Sequence, residues 1–183
     1  MRITSPGEGV STAVRRELRA GDLEAILDHH ARLYPSEYGV DGGFVAHVAD
    51  AIAMVSERGF PRDREGLWIV ERDGRHAGST ALTDEGDGVA IVRWVLLGPE
   101  VRGLGIGRRI IGEAVAEARD AGFGLVRLDT FSDLTAAAGI YRSLGFEVVS
   151  EDTRPRWGRP SITYQRYELD LARQRAISSR STS

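Results

Sequence analysis

Residues 89–111 read VAIVRWVLLGPEVRGLGIGRRII, and the order of events in that stretch decides the fold. Val89–Leu97 is a nearly continuous apolar run, suited to the centre of a sheet covered on both faces. Gly98-Pro99 ends it, because proline has no backbone N–H to continue a ladder. A glycine-rich segment follows: Arg102, Gly103, Leu104, Gly105, Ile106, Gly107, Arg108 and Arg109. Apolar residues at Ile110, Ile111, Ala114, Val115 and Ala118 then keep helical spacing to about Gly122, and Leu125–Thr130 reads as the next strand. A strand, a crossover helix and a second strand imply at least one parallel pair.

The loop between strand and helix carries the chemistry. Glycines let the backbone turn tightly and approach a ligand with no Cβ in the way. The first N–H groups of the following helix lack internal partners and carry the positive end of its dipole. Such a loop suits a pyrophosphate. Arg102, Arg108 and Arg109 oppose that dipole, so an anionic ligand is expected to compensate them. The bland reading is a tight turn with solvated arginines. A dinucleotide-binding loop would need G-x-G-x-x-G. Counting from Gly103 puts its third glycine on Arg108, and counting from Gly105 puts it on Ile110. Too little chain follows for the second half of such a domain, and a nicotinamide oxidoreductase is set aside.

Working outward, Thr12–Leu18 reads as a first strand. Asp22 can cap a helix with Leu23, Ile26, Leu27, Ala31 and Tyr34 inward, and Asp41 a second with Phe44, Val48, Ile52 and Val55 on one face. Leu67–Glu71 and Ala77–Leu82 flank Arg72-Asp73-Gly74-Arg75, an Asp-Gly hairpin. Ser132 or Asp133 can cap a helix to Leu144, with Gly145 as its stop. Phe146–Glu151 and Ile162–Leu171 close the sheet around a loop holding Trp157-Gly158. The expectation is a single α/β domain over 13–171, with a mixed, mostly antiparallel sheet of about seven strands, helices on both faces and a splayed central parallel pair. Residues 1–12 and 172–183 are polar and read as loose ends.

The chain has 183 residues, 24 basic against 27 acidic, a net charge of −3 and no cysteine. That balance argues against a broad nucleic-acid footprint. Without cysteine there is no disulfide, thiolate nucleophile or Cys-linked acyl-enzyme. All 24 basic residues are arginine, which removes Schiff-base chemistry and reads as the codon bias of a GC-rich bacterial genome. Neither a membrane-spanning run nor a signal peptide is expected, so the reading is cytoplasmic. The 4 histidines show no metal-ligand spacing, and no metal is expected.

Arg102, Gly105 and Gly107, after a strand and opening a helix, read as R-x-x-G-x-G. In that setting they resemble motif A of the GCN5-related N-acetyltransferase (GNAT) superfamily. Ala136–Phe146 (AAAGIYRSLGF) resembles its motif B. Arg93-Trp94, and Trp157-Gly158 followed by Tyr164–Leu169, resemble the acetyltransferase half of bacterial proteins that fuse a MarR-type DNA-binding domain to a GNAT domain. The resemblance implies an acetyl-CoA-dependent N-acetyltransferase. The pantetheine arm would pair with Val95, Leu96 and Leu97, and the phosphates would meet the amides of 103–108, with Arg102, Arg108 and Arg109 adding charge. A backbone N–H of the central strand would polarise the acetyl carbonyl.

Tyr141, inward in motif B, is the expected general acid for the departing thiolate. Many relatives carry Asn where Leu134 stands. The central strand lacks a carboxylate base, and Glu37, Asp129, His30 and Glu85 stay open for that role beside a water relay. The amine pocket, by family habit, would draw on Tyr34, Glu37, Tyr38, Phe44, Trp94, Trp157 and Tyr164. Attack is expected to be direct, in a ternary complex. The partners are a coenzyme A thioester and an amine, and pairing as a homodimer is a family habit. A non-catalytic acyl-CoA-binding or sensor module is the alternative.

Overall fold

The computed structural model describes residues 2–4 and 11–180. Among the described residues eight strands form one sheet: β1 (Arg2–Thr4), β2 (Ser11–Arg15), β3 (Gly66–Arg72), β4 (Arg75–Asp84), β5 (Val89–Leu97), β6 (Leu125–Phe131), β7 (Glu147–Arg156) and β8 (Arg159–Asp170). Their order is β1-β2-β3-β4-β5-β6-β8-β7. The α-helices among the described residues are α1 (Asp22–Tyr38), α2 (Gly42–Glu57), α3 (Ile106–Asp120), α4 (Thr135–Ser143) and α5 (Leu171–Arg180). β5–β6 is the parallel pair expected from the crossover, and the other ladders are antiparallel.

Two apolar clusters sandwich the sheet. One joins α3 and α4 to Trp68, Val92, Val126, Leu128, Tyr141 and Tyr167. The other joins α1 and α2 to Leu67, Ile69, Trp94, Leu96, Phe131 and Ile162. Burial alternates without a break along β5. Yet Ala90 and Val92 belong to the α3 cluster, whereas Trp94 and Leu96 belong to the α1–α2 cluster. A strand keeps every second side chain on one face, so the parity must slip between residues 92 and 94. The slip is a β-bulge: the register with β4 jumps from Ala81↔Arg93 to Ser79↔Leu96, leaving Trp94 and Val95 opposite Thr80. Trp94 carries the strain, at φ 51°, and the Ser79 hydroxyl donates to its carbonyl at 2.8 Å.

The Asp73-Gly74 hairpin forms as read, with both residues at positive φ. Asp41 caps α2 by accepting from Gly43 N at 2.8 Å. Two other caps differ from expectation. Gly21 caps α1, and Asp22, one residue inside, is clamped by Arg15 at 2.7 and 2.9 Å. Leu134, whose side chain has no polar atom, is the N-cap of α4, and the Asp133 carboxylate expected there is instead held by Arg159 at 2.8 Å. The first strand stops at Arg15 rather than Leu18, and β7 runs on to Arg156.

The two segments read as loose ends contain β1 and part of α5, whose start is tied to the sheet by Leu171 N donating to Gly124 O at 2.9 Å. Strand pairing of this kind needs no apolar periodicity, which is why polarity misdirected the reading. β1 also makes the sheet one strand wider than expected. Among the described residues no helix is long and apolar enough to cross a membrane.

Candidate active site

β5 and β6 pair only over Val89–Ile91 and Leu125–Arg127. Beyond Ile91 they part, and the β6-facing edge of β5 is left without a neighbouring strand. Two cavities open along this split. A groove of about 450 Å³ lies on the α3 side, and a pocket of about 170 Å³ lies under α1 and α2. Tyr34, Val95 and Leu134 line both, so the two spaces meet just past the bulge.

The groove is built by the glycine-rich loop. Gly98 leads into a short 3-10 turn at Pro99–Val101, and Gly103 and Gly105 then take φ of 73° and 74°. Only glycine enters that region at no steric cost. Gly105 is the N-cap of α3 and offers no side chain, so the first N–H groups of the helix keep their donor capacity for a ligand. The groove is lined by Val95–Leu97, Arg102, Gly103, Gly105, Ile106, Gly107 and Arg108 from this side. Across from them stand the ends of α1 and α4, among them Glu37, Tyr38 and Ala137. Leu104, 54 % exposed, and Arg109 stand outside that lining.

The three arginines are not equivalent. Arg102 donates from Nε to Leu97 O at 2.8 Å and reaches both Glu37 carboxylate oxygens at 2.9 and 3.0 Å. Arg109 pairs with Glu113 one turn on, at 3.0 Å. Arg108 donates to the Ser143 hydroxyl and, among the described residues, has no carboxylate partner. The premise that all three charges await an anion is therefore narrowed, and Arg108 is the free one.

Aromatic walls enclose the second pocket. The β7–β8 turn is the two-residue pair Trp157-Gly158, at φ 51° and 76°, and Asp41 N donates to Trp157 O at 2.9 Å. This docks the hairpin tip on the start of α2 and sets the Trp157 ring edge-on to Phe44 at 5.0 Å and to Tyr164 at 5.9 Å. Tyr34 stacks on Phe44 at 4.4 Å and meets Phe131 at 6.0 Å. Trp94 and Trp157, both expected here, do line the pocket, as do Phe44 and Tyr164. Glu37 and Tyr38 do not; they belong to the groove, because α1 runs over the junction and its last turn overhangs the loop. Phe131 and His47 complete the wall and escaped the sequence reading, Phe131 because β6 runs one residue past the strand read there.

Tyr141 projects from α4 into the pocket lining and is 3 % exposed. Its ring packs on Tyr167 at 5.5 Å and Phe146 at 6.1 Å. Among the described residues its hydroxyl has no hydrogen-bond partner, unlike that of Tyr167, which lies between Arg142 and Gln165. Burial raises the Tyr141 phenol above its ordinary range, so it holds its proton at neutral pH.

The four base candidates separate. Glu37 is held by Arg102, and Asp129 lines the pocket but is held by Arg166 at 2.8 and 3.1 Å. Glu85 is held by Arg93 at 2.7 Å and lines neither cavity. His30 lines the pocket, stacked on Tyr34 at 5.3 Å. Its Nδ1 lies 2.8 Å from Ile26 O and so carries the hydrogen, leaving a lone pair on Nε2. Burial lowers its pKa to about 4, so the ring is neutral at physiological pH.

Over residues 23–146 the sequence matches the model of the acetyltransferase (GNAT) family. An uncharacterized N-acetyltransferase of Escherichia coli, YjgM, is 28 % identical over 137 residues, 73 % of this chain and 81 % of its own. A mycothiol acetyltransferase of Cellulomonas flavigena is 34 % identical over 114 residues, 57 % of this chain and 32 % of its own. In fold the chain is similar to the structure of yncA, a putative acetyltransferase from Salmonella typhimurium with its cofactor acetyl-CoA. The TM-score is 0.67 at 19 % identity, over 87 % of this chain and 94 % of that one.

Proposed function

The chain belongs to the GNAT family of acetyltransferases, and from that premise we propose that it moves an acetyl group from acetyl-CoA to a primary amine by direct attack in a ternary complex. One observation carries the reading: a cradle of backbone N–H groups at the α3 N-terminus leads along the free edge of β5 to Val95, where a separate aromatic pocket begins.

The pyrophosphate sits on the α3 N-terminus and Arg108. The pantetheine amides pair with the β5 edge over Val95–Leu97, as an added strand would. The thioester then lies at the junction shared by Tyr34, Val95 and Leu134. Leu134 offers that arm no hydrogen bond, so the β5 edge holds it. The amine enters from the aromatic pocket. Its nitrogen lone pair attacks the carbonyl carbon, forming the C–N bond. The carbonyl oxygen takes negative charge, which a backbone N–H at the bulge stabilises. Collapse breaks the C–S bond, and the thiolate takes the Tyr141 proton. The surplus proton on nitrogen leaves through His30 Nε2 or water and restores the phenol. With no cysteine in the chain, an acyl-enzyme on sulfur has no place in this scheme.

The test is calorimetric titration with acetyl-CoA, followed by thiol release against a panel of amines. Saturable binding with amine-dependent release supports the reading. Binding without release to any amine moves the protein to the acyl-CoA sensor class.

A further inference from the structure

One ion pair crosses the groove on the α3 side. Arg102 comes from the glycine-rich loop, and Glu37 stands in the last turn of α1 on the opposite wall. Arg102 Nη2 donates to both Glu37 carboxylate oxygens, at 2.9 and 3.0 Å, and its Nε donates to Leu97 O at 2.8 Å. All three residues line the groove.

Each end of this contact sits at a telling place. Gly98 N–H, in the same peptide unit as the Leu97 carbonyl, donates to Ala77 O of β4 at 2.8 Å. Across a trans peptide the C=O points the opposite way, so Leu97 O faces away from β4, toward the open edge of β5. That edge is where the amides of a donor's arm would pair as an added strand, and the Arg102 guanidinium already occupies it. At the other end, α1 has no basic residue in its last turn, so Glu37 opposes the negative end of the helix dipole with no cation of its own. Arg102 supplies that cation from the loop.

Magnitudes decide which way Arg102 goes when a ligand arrives. The Arg102 and Glu37 side chains are 43 % and 24 % exposed, and a solvated ion pair of this kind is weak. A diphosphate carries more charge than one carboxylate and accepts charge-assisted hydrogen bonds. Arg102 shares its wall of the groove with Gly103, Gly105, Gly107 and Arg108. Exchange of Glu37 for phosphate is therefore downhill. A thioester arm with no phosphate would have to displace Arg102 from Leu97 and offer it nothing in return.

We propose that Arg102, tied to Leu97 and Glu37, selects the donor: it bars the β5 edge to a bare pantetheine thioester and yields to one whose diphosphate takes the guanidinium from Glu37. The proposal rests on the acetyltransferase reading above.

The experiment titrates the wild type and Arg102→Ala with acetyl-CoA by calorimetry, and with S-acetylpantetheine in competition against it. In Arg102→Ala the affinity for S-acetylpantetheine is expected to rise by about fivefold, the worth of one hydrogen bond that no longer has to be displaced. The affinity for acetyl-CoA is not expected to rise. A side chain that only bound phosphate would leave S-acetylpantetheine unchanged, and one that only shaped the loop would weaken both ligands. Either result, or no competition by S-acetylpantetheine in the variant, overturns the proposal. If Arg102→Ala does not fold, Arg102→Met, which keeps the apolar stem, replaces it. Glu37→Gln keeps Arg102 and loosens its hold, so acetyl-CoA is expected to bind about threefold tighter. That gain should vanish when Glu37→Gln is added to the Arg102 variant. No gain overturns the proposal, as does an equal gain in the double variant, which simple repulsion between Glu37 and the phosphates would give. No binding of acetyl-CoA by the wild type overturns the acetyltransferase reading, and the proposal with it.

Discussion

Among the described residues the Tyr141 hydroxyl has no hydrogen-bond partner, unlike that of its neighbour Tyr167, and Tyr141 lines the aromatic pocket. A structural tyrosine usually spends its hydroxyl on the protein, so a free hydroxyl here supports the proposed acid role. Tyr141→Phe is therefore expected to lower turnover by about 10²-fold or more, the usual worth of a positioned acid. Affinity for acetyl-CoA should stay within about twofold by calorimetry, and full turnover would remove the role. The arginines of the loop make a sharper contrast. Arg109 is already paired with Glu113, whereas Arg108 has no carboxylate partner among the described residues. Charge-assisted contacts to phosphate are stronger than neutral ones. Arg108→Ala should weaken acetyl-CoA binding by about tenfold, and Arg109→Ala, which loses an i,i+4 surface pair, by less than about twofold. Equal effects would mean that the two side chains share the phosphate.

At the scale of the element, the bulge in β5 organises the site. It turns Trp94 and Leu96 to the α1–α2 side and Val95 and Leu97 to the α3 side. The buried Ser79 hydroxyl, donating to Trp94 O, is one of the few side-chain contacts that hold it. Ser79→Ala leaves that carbonyl short of a donor and should cost about 1 kcal/mol. For a chain of this size that is a fall in Tm of about 2–4 °C, read by differential scanning calorimetry. Thiol release should fall further than donor affinity, because the bulge lies beside the proposed place of the thioester and away from that of the phosphates.

This device was not legible in the sequence. VAIVRWVLL reads as an unbroken apolar strand, and nothing in it marks where parity slips, since no glycine or proline sits at the bulge. The glycine loop was legible, because a positive φ before a helix selects glycine and leaves a spaced signature. So was the crossover helix, whose apolar positions repeat at 3.6 residues. The placement of Glu37 and Tyr38 was not. Which cavity an overhanging helix end borders depends on the tilt of α1, and periodicity carries no tilt.

Across the whole molecule, the histidines link the site to stability. His29 and His30 both have pKa lowered to about 4, chiefly by burial, and His29 Nδ1 faces His76 Nδ1 at 3.1 Å, so one ring must donate and the other accept. His76 and His47 are lowered for the same reason. In the unfolded chain these rings titrate near 6.5. Between about 6.5 and 4 the unfolded state binds more protons than the folded one, so stability is full above about 6.5 and is lost as the pH falls toward 4. Each deeply buried histidine contributes up to about 1.4 kcal/mol per pH unit over that window. The urea midpoint should drop between pH 7 and pH 5 at a nearly constant m-value, before most carboxylates protonate. A flat profile there would mean that the rings are solvated.

The central claim is that the loop and the free edge of β5 form an acetyl-CoA site, and isothermal titration of the intact chain with acetyl-CoA tests it most directly. The account predicts saturable one-to-one binding, with NAD giving none, weakened in Arg108→Ala and abolished in Gly105→Glu, which places a carboxylate where the account puts the phosphates. No heat of binding at millimolar acetyl-CoA, or equal binding by the Gly105→Glu variant, would contradict it.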